Sequence, residues 1–226
     1  MKRTGIFSTL LSILMIFTAT QSFASGNRES MGSVASSSIS GEIVYMEGEV
    51  FLNNREAKIG DAVASSDTLE TGVGGFCEVI FEDANVFRLD ELTITRINWT
   101  ESDIVLQQGG ISAVMNKLDK LIREMKNFTI STPATTAGVR GTVFYVRVED
   151  EENSYVCICN GELNMTYGEK SLGIEGVHHK GYRFTSENGT VTWNRAPLLY
   201  HDDRKMEAVA SQINYRIPWD KRESGY

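Results

Sequence analysis

Positive charge is what this chain has little of. Its 22 Lys and Arg stand against 30 Asp and Glu, a formal net charge of −8. A chain this acidic lacks the basic footprint on which nucleic-acid binding depends. Anionic lipid headgroups would repel it as well. Cysteine is scarce too. There are three, an odd number, so in an exported protein at least one is unpaired or has another task. Catalytic signatures are missing: no Gly-x-Ser-x-Gly, no His-Glu-x-x-His and no Cys-x-x-Cys-His occurs. Acidic pairs such as Asp202-Asp203 and the run Glu149–Glu152 read as solvated turns or helix starts. No enzyme is expected from these residues. Long apolar runs are absent after residue 24, so no transmembrane helix is expected in the mature chain.

What is present begins with an export signal. Lys2 and Arg3 precede the apolar run Ile6 to Thr20, and Ser22-Phe23-Ala24 supplies small residues for cleavage after Ala24. The run falls short of the ~20 residues that span a bilayer. Residues 1–24 therefore read as a signal peptide, and the destination as the periplasm or cell surface. Residues 25–40, "SGNRESMGSVASSSIS", read as a flexible linker.

From Gly41 onward the pattern is β. "GEIVYMEGEVFLNN" alternates. Cys77, Val79 and Phe81 share a face before a turn at Asp83-Ala84-Asn85, and "SDIVLQQGG" is another short strand. Asn160-Gly161 and Glu187-Asn188-Gly189 each predict a hairpin between apolar runs. Helical spacing appears twice. Val114, Leu118, Leu121, Ile122 and Met125 predict a short insert. Met206, Val209, Ala210 and Ile213 predict a terminal helix capped by Asp202 or Asp203. The expected fold is mainly β, solenoid- or sandwich-like, with that helical insert, and a β-hairpin and C-terminal helix as an extension.

The stretch "STPATTAGVRGTVFYV", residues 131–146, is the most distinctive. Pro133 removes a backbone donor and suits a strand entry. Gly138 and Gly141 permit a tight bend or a close backbone approach. Val139 and Arg140 are held between them, with Thr142 following. A rigidly placed Arg140 suits pairing with a carboxylate. Asp83, Asp90 and Glu91 are its expected partners in a structural lock, and anion binding is the functional alternative.

This stretch resembles the signature of the FecR domain family, Thr-Pro-x-x-x-Ala-Gly-Val-Arg-Gly-Thr-x-Phe. "GEVFLN", "IGDAVASSDTLETGVGGFCEVIFEDANVFRLDELTIT" and "IVLQQGGI" resemble the family's upstream segments, so the likeness covers residues 41–148, with 149–226 as a C-terminal extension. Ala84-Asn85 and the insert depart from the pattern. The resemblance implies an extracytoplasmic all-β domain. In the best-known members that domain relays an outer-membrane receptor signal through a membrane helix to a sigma factor. Without such a helix, the expectation is a free-standing exported module for ligand binding or assembly, with an unidentified envelope protein or glycan as partner. A signalling partner of an outer-membrane complex is the alternative.

One cluster of chemistry-bearing residues remains. All three histidines and two of the three cysteines lie in the last third: Cys157, Cys159, His178, His179 and His201. On a strand Cys157 and Cys159 point to one face. Two thiols with imidazoles on following segments could assemble a Cys₂His₂ or Cys₂His site for zinc or copper. The spacing matches no standard zinc finger, and the bland alternative is core cysteines with loop histidines. "YVCICNGEL", "GVHHKGYRF" and "YHDDRKM" resemble the tail of other exported FecR-type proteins: Cys-x-Cys, His-His, then a His followed two residues later by an acid before a helix. Cys77 reads as a core residue, though pairing with Cys157 or Cys159 stays open.

Overall fold

The computed structural model describes residues 40–116 and 128–219, the Arg140 side chain excepted. The signal-peptide reading, nearly all of the linker, and insert residues 117–127 lie outside the described residues.

Among the described residues, fifteen strands form one hydrogen-bonded sheet. The first eight are short: β1 (Gly41–Glu47), β2 (Val50–Leu52), β3 (Arg55–Glu56), β4 (Ala62–Val63), β5 (Thr68–Thr71), β6 (Phe76–Phe81), β7 (Asn85–Leu89) and β8 (Ile94–Asn98). Then come β9 (Asp103–Met115), β10 (Phe128–Ser131), β11 (Thr136–Val148), β12 (Asn153–Tyr167), β13 (Lys170–Gly176), β14 (Lys180–Glu187) and β15 (Thr190–Ala196). Helix α1 (Asp203–Ser211) follows. The fold is therefore mainly β, as the alternation predicts.

Why these segments are strands is visible in their burial. Ile43, Val79, Phe81, Phe87, Leu89, Ala113, Phe144, Val146, Val156 and Ile158 are inward-facing and fully or almost fully buried in one core. Phe81 anchors it, stacked on Phe128 with centroids 5.7 Å apart and tilted against Trp99 at 4.9 Å. Residues that alternate with these would face water in a simple sheet. Here Val86, Val114, Val143, Tyr145, Tyr155, Cys157 and Cys159 instead form a second buried cluster with Met206, Val209, Ala210 and Ile217. The sheet is thus covered on its outer face by the chain after Ala196. Asp202 caps α1 by accepting the Lys205 amide at 2.8 Å. Met206, Val209 and Ala210 are its buried stripe.

The 131–146 stretch becomes the turn into β11 and then β11 itself. Pro133 sits in the turn after β10. The register of β11 against β12 shifts between Arg140 and Val143, with Gly141 at φ 54° and Gly161 across from it at φ 110°. This is a bulge, and Gly161 is the residue that most needs to be glycine, since a Cβ there would meet Thr142 Oγ1 at 2.8 Å. The backbone of Arg140 lies opposite Glu162. Of the acids expected to meet Arg140, Asp90 accepts from Tyr145 and pairs with Lys205, and Glu91 accepts from the Gly74 amide.

Two expectations are corrected. Asn160-Gly161 is not a hairpin turn, because β12 runs straight through it. The dipeptide is the point where β12 changes partners, from β14 at Asn153–Ile158 to β13 at Gly161–Tyr167. Val114 is not helical: it lies near the end of β9, paired with Val86 on one side and Val143 on the other. The hairpin at Asn188-Gly189 is present, with φ of 50° and 76° at the two turn residues, as a type I′ turn requires.

Candidate metal centre

The change of partner in β12 builds the site. Ile158 is the last residue paired with β14 and Gly161 the first paired with β13. Between them the Cys159 carbonyl accepts the His179 amide at 3.2 Å. That bond folds the short link between β13 and β14 back over Cys157 and Cys159. His179 takes φ 39°, a left-handed conformation that costs energy in a non-glycine residue and persists where surrounding contacts impose it.

The fourth side chain comes from the C-terminal segment. The Tyr155 hydroxyl donates to the Pro197 carbonyl at 3.0 Å and accepts the Leu199 amide at 3.2 Å, fixing the path of the chain. Tyr200 then turns at φ 67° and His201 enters the outer cluster. Its ring stacks on Tyr145, with centroids 4.6 Å apart and planes at 17°.

Cys157, Cys159, His179 and His201 converge, each buried, with one ligand atom apiece and all four atoms within 4.8 Å of one another. Cys157 Sγ lies 3.8 Å from His179 Nδ1, and Cys159 Sγ lies 3.3 Å from His201 Nε2. Tetrahedral zinc with bonds of about 2.0–2.3 Å separates its ligand atoms by about 3.3–3.8 Å. The two measured edges fall in that range.

The outer hydrogen bonds aim both imidazoles. His179 Nε2 is 2.8 Å from Asp203 Oδ1, and His201 Nδ1 is 2.8 Å from the Leu199 carbonyl. A carbonyl can only accept, and so can a carboxylate, so these nitrogens carry the protons. The lone pairs of His179 Nδ1 and His201 Nε2 are left facing the sulfurs. A carboxylate or carbonyl behind each ligating histidine is how metal sites fix ring orientation.

Electrostatics favour a bound cation. Burial pushes the Cys157 thiol up, but hydrogen bonds from Cys159, His179 and His201 outweigh it and hold that thiol well below its ordinary range. Cys159 is pushed up by burial and by its neighbour Cys157. Burial pushes His179 down, while Cys157 and Asp203 more than offset this and raise it. A cation binding here would displace the thiol protons and meet the two imidazole lone pairs.

The structure divides the five sequence candidates four and one. His178 lies one layer out, its Nε2 2.8 Å from the same Asp203 oxygen. Trp219 covers both rings, stacked on His179 at 5.1 Å and edge-on to His178 at 5.0 Å. Cys77 belongs to the inner core, on the other face of the sheet from Cys157 and Cys159, and all three cysteines are free. Burial raises its thiol to about 12. Sequence reasoning noted Asp203 as a helix cap and as the acid two residues after His201, but gave it no place in the site. The signal for its larger role was its place two residues after His201.

Comparison with known proteins agrees with the FecR reading over part of the chain. Residues 67–164 match the family model described as FecR protein. That span starts just before β5, contains the Gly138–Thr142 signature and ends inside β12, beyond the two cysteines. Two crystal structures of a candidate anti-sigma factor from Parabacteroides distasonis ATCC 8503, at 1.65 and 2.50 Å, are similar at 17% and 19% identity, each with a TM-score of 0.44. The match covers 57% of this chain and 59% of theirs, so it spans less than two thirds of those structures. No curated protein matches. Among the described residues, no helix is long and apolar enough to cross a membrane.

Proposed function

We propose that this is a non-enzymatic, exported FecR-type module for binding or signalling in the cell envelope, whose C-terminal segment is clamped to the sheet by one metal ion. Cys157, Cys159, His179 and His201 are the ligands. The observation that carries this reading is the aim of the two imidazoles: each is hydrogen-bonded from behind through one nitrogen and turns the other towards a sulfur.

Two thiolates and two imidazoles at tetrahedral spacing suit zinc, and copper(I) second. Four protein ligands make a closed structural site rather than one with an open coordination position for catalysis. The site joins three parts of the chain: β12, the β13–β14 link and the segment entering α1. Binding energy there is folding energy for the C-terminal segment. The family match to FecR supports an envelope regulatory role, and the export signal read at residues 1–24 supports delivery there.

Cobalt(II) substitution tests the ligand set. Titration of chelator-treated protein should give one equivalent of Co²⁺ with sulfur-to-metal charge-transfer absorption and intense tetrahedral d–d bands. His201→Ala should weaken or remove the bands. Weak octahedral bands without thiolate absorption would defeat the assignment.

A further inference from the structure

A cleft of about 560 Å³ opens beside the outer cluster, and none of the four candidate metal-binding side chains lines it. Its walls come from the Gly74–Phe76 turn, Arg88 on β7, Arg147 on β11, Tyr200 and Lys205 on α1. In a chain of net charge −8, three cations meeting in one hollow need a physical reason.

Two of the three have unspent hydrogen-bonding capacity. Arg147 has no carboxylate within ion-pair distance among the described residues; its guanidinium lies 4.8 Å from the Tyr200 ring centroid. Arg88 lies 3.8 Å over the Phe76 ring and reaches Glu78 through Nη1 at 3.3 Å, while its buried Nε has no hydrogen-bond acceptor among the described residues. Lys205 is spent on Asp90 at 2.6 Å. Burial holds its ammonium below the usual range; Asp90 opposes this, and the nearby Arg88 and Arg147 reinforce it. Asp90 and Glu91 line the cleft as well, and both are engaged. Asp90 accepts the Tyr145 hydroxyl at 2.7 Å, and Glu91 accepts the Gly74 amide at 2.9 Å.

We infer that this cleft binds a small organic carboxylate, with Arg147 and Arg88 taking the carboxylate and the Phe76 and Tyr200 rings contacting its apolar body. A guanidinium fork matches a carboxylate with two parallel hydrogen bonds. Both forks are braced against aromatic faces, which limits the motion lost on binding. The volume suits a small molecule, and the mixed aromatic and charged lining is that of a ligand site. Asp90 and Glu91 in the lining favour a single negative charge over a phosphate dianion. The inference does not depend on a metal at the cysteine–histidine centre.

The test is an NMR titration of the full folded chain with benzoate, and in parallel with inorganic phosphate. Benzoate should shift the Arg147 side-chain N–H and the Gly75 amide saturably. Arg147→Ala should weaken binding about tenfold or more, the loss expected for charge-assisted hydrogen bonds, and Arg216→Ala on the exposed C-terminal segment should not. Arg147→Lys keeps the charge without the fork, so weakened binding in that variant answers the question even if the alanine variant misfolds. Phosphate binding more tightly than benzoate would overturn the carboxylate assignment. Unsaturable shifts, or equal binding by both Arg147 variants, would overturn the site.

Discussion

The two faces of this sheet are buried by different means. The inner face is filled by aliphatic and aromatic side chains such as Ile43, Phe81, Phe144 and Ile158. It needs size and hydrophobicity, and alternation alone specifies it. The outer face carries tyrosines, cysteines and histidines under the segment 197–219, with α1 over Val86 and Val114. Those polar groups are bonded to particular partners: Tyr155 to Pro197 and Leu199, Tyr145 to Asp90, His201 to Leu199. The contrast implies that the inner core makes the domain, while the outer layer is a cover whose attachment depends on specific chemistry.

The comparison can be broken or sharpened in order of effect. Phe81→Ala removes the ring shared by Phe87, Trp99 and Phe128, and should cost about 3–5 kcal/mol. Urea unfolding should give the same loss with and without chelator, because this face does not touch the proposed metal centre.

Chelation should do the reverse. It should remove about 2.7 kcal/mol if free metal stood a hundredfold above its dissociation constant. Hydrogen exchange should then accelerate across 197–219 while β6, β7 and the inner positions of β9 stay protected. Uniform acceleration would mean that the outer layer is not a separate cover.

Asp203→Asn keeps the size of the side chain and weakens the carboxylate behind His179. Metal affinity should fall about 10–100-fold with all four ligands in place, read by competition with a chromogenic chelator.

The smallest effect concerns Glu149, which accepts from Arg183 at 2.6 Å and from Tyr200 at 2.6 Å. Burial pushes its carboxyl up, but Arg183 and Tyr200 outweigh that and lower it. A depressed folded-state value stabilises above the unfolded value and is lost as pH falls through the folded one. Wild type should therefore lose up to about 1 kcal/mol more than Glu149→Gln on acidification, since Arg183 is largely solvent-screened. Melting temperatures at pH 7 and below pH 4 check this.

Most of the strands were legible because alternation and turn residues are local signals. The Asn188-Gly189 turn and the Asp202 cap came from the same kind of evidence. Asn160-Gly161 misled because an apolar run, Asn-Gly and another apolar run is also the pattern of a strand changing partners. Only β13 and β14, met later in the chain, decide between the two. The cysteine–histidine cluster was legible from residue types, because five metal-ligating side chains in the last third outnumber what a core requires. Its geometry was not, because His179 reaches the sulfurs through a left-handed backbone and a bond to the Cys159 carbonyl. Asp203 was visible in the tail pattern after His201, but nothing local tells that it sits behind His179. Tyr145, Asp90 and Lys205 lie far apart in sequence, so nothing local announces that they meet.

Native mass spectrometry tests the central claim most directly, on the protein purified without chelator or metal-affinity resin, beside Cys157→Ser/Cys159→Ser. The account predicts one tightly held metal ion per wild-type chain, none in the folded double variant, and faster hydrogen exchange in its 197–219 segment. A metal-free wild type with that segment fully protected would contradict it, and the four side chains would then be a buried polar cluster that needs no ion.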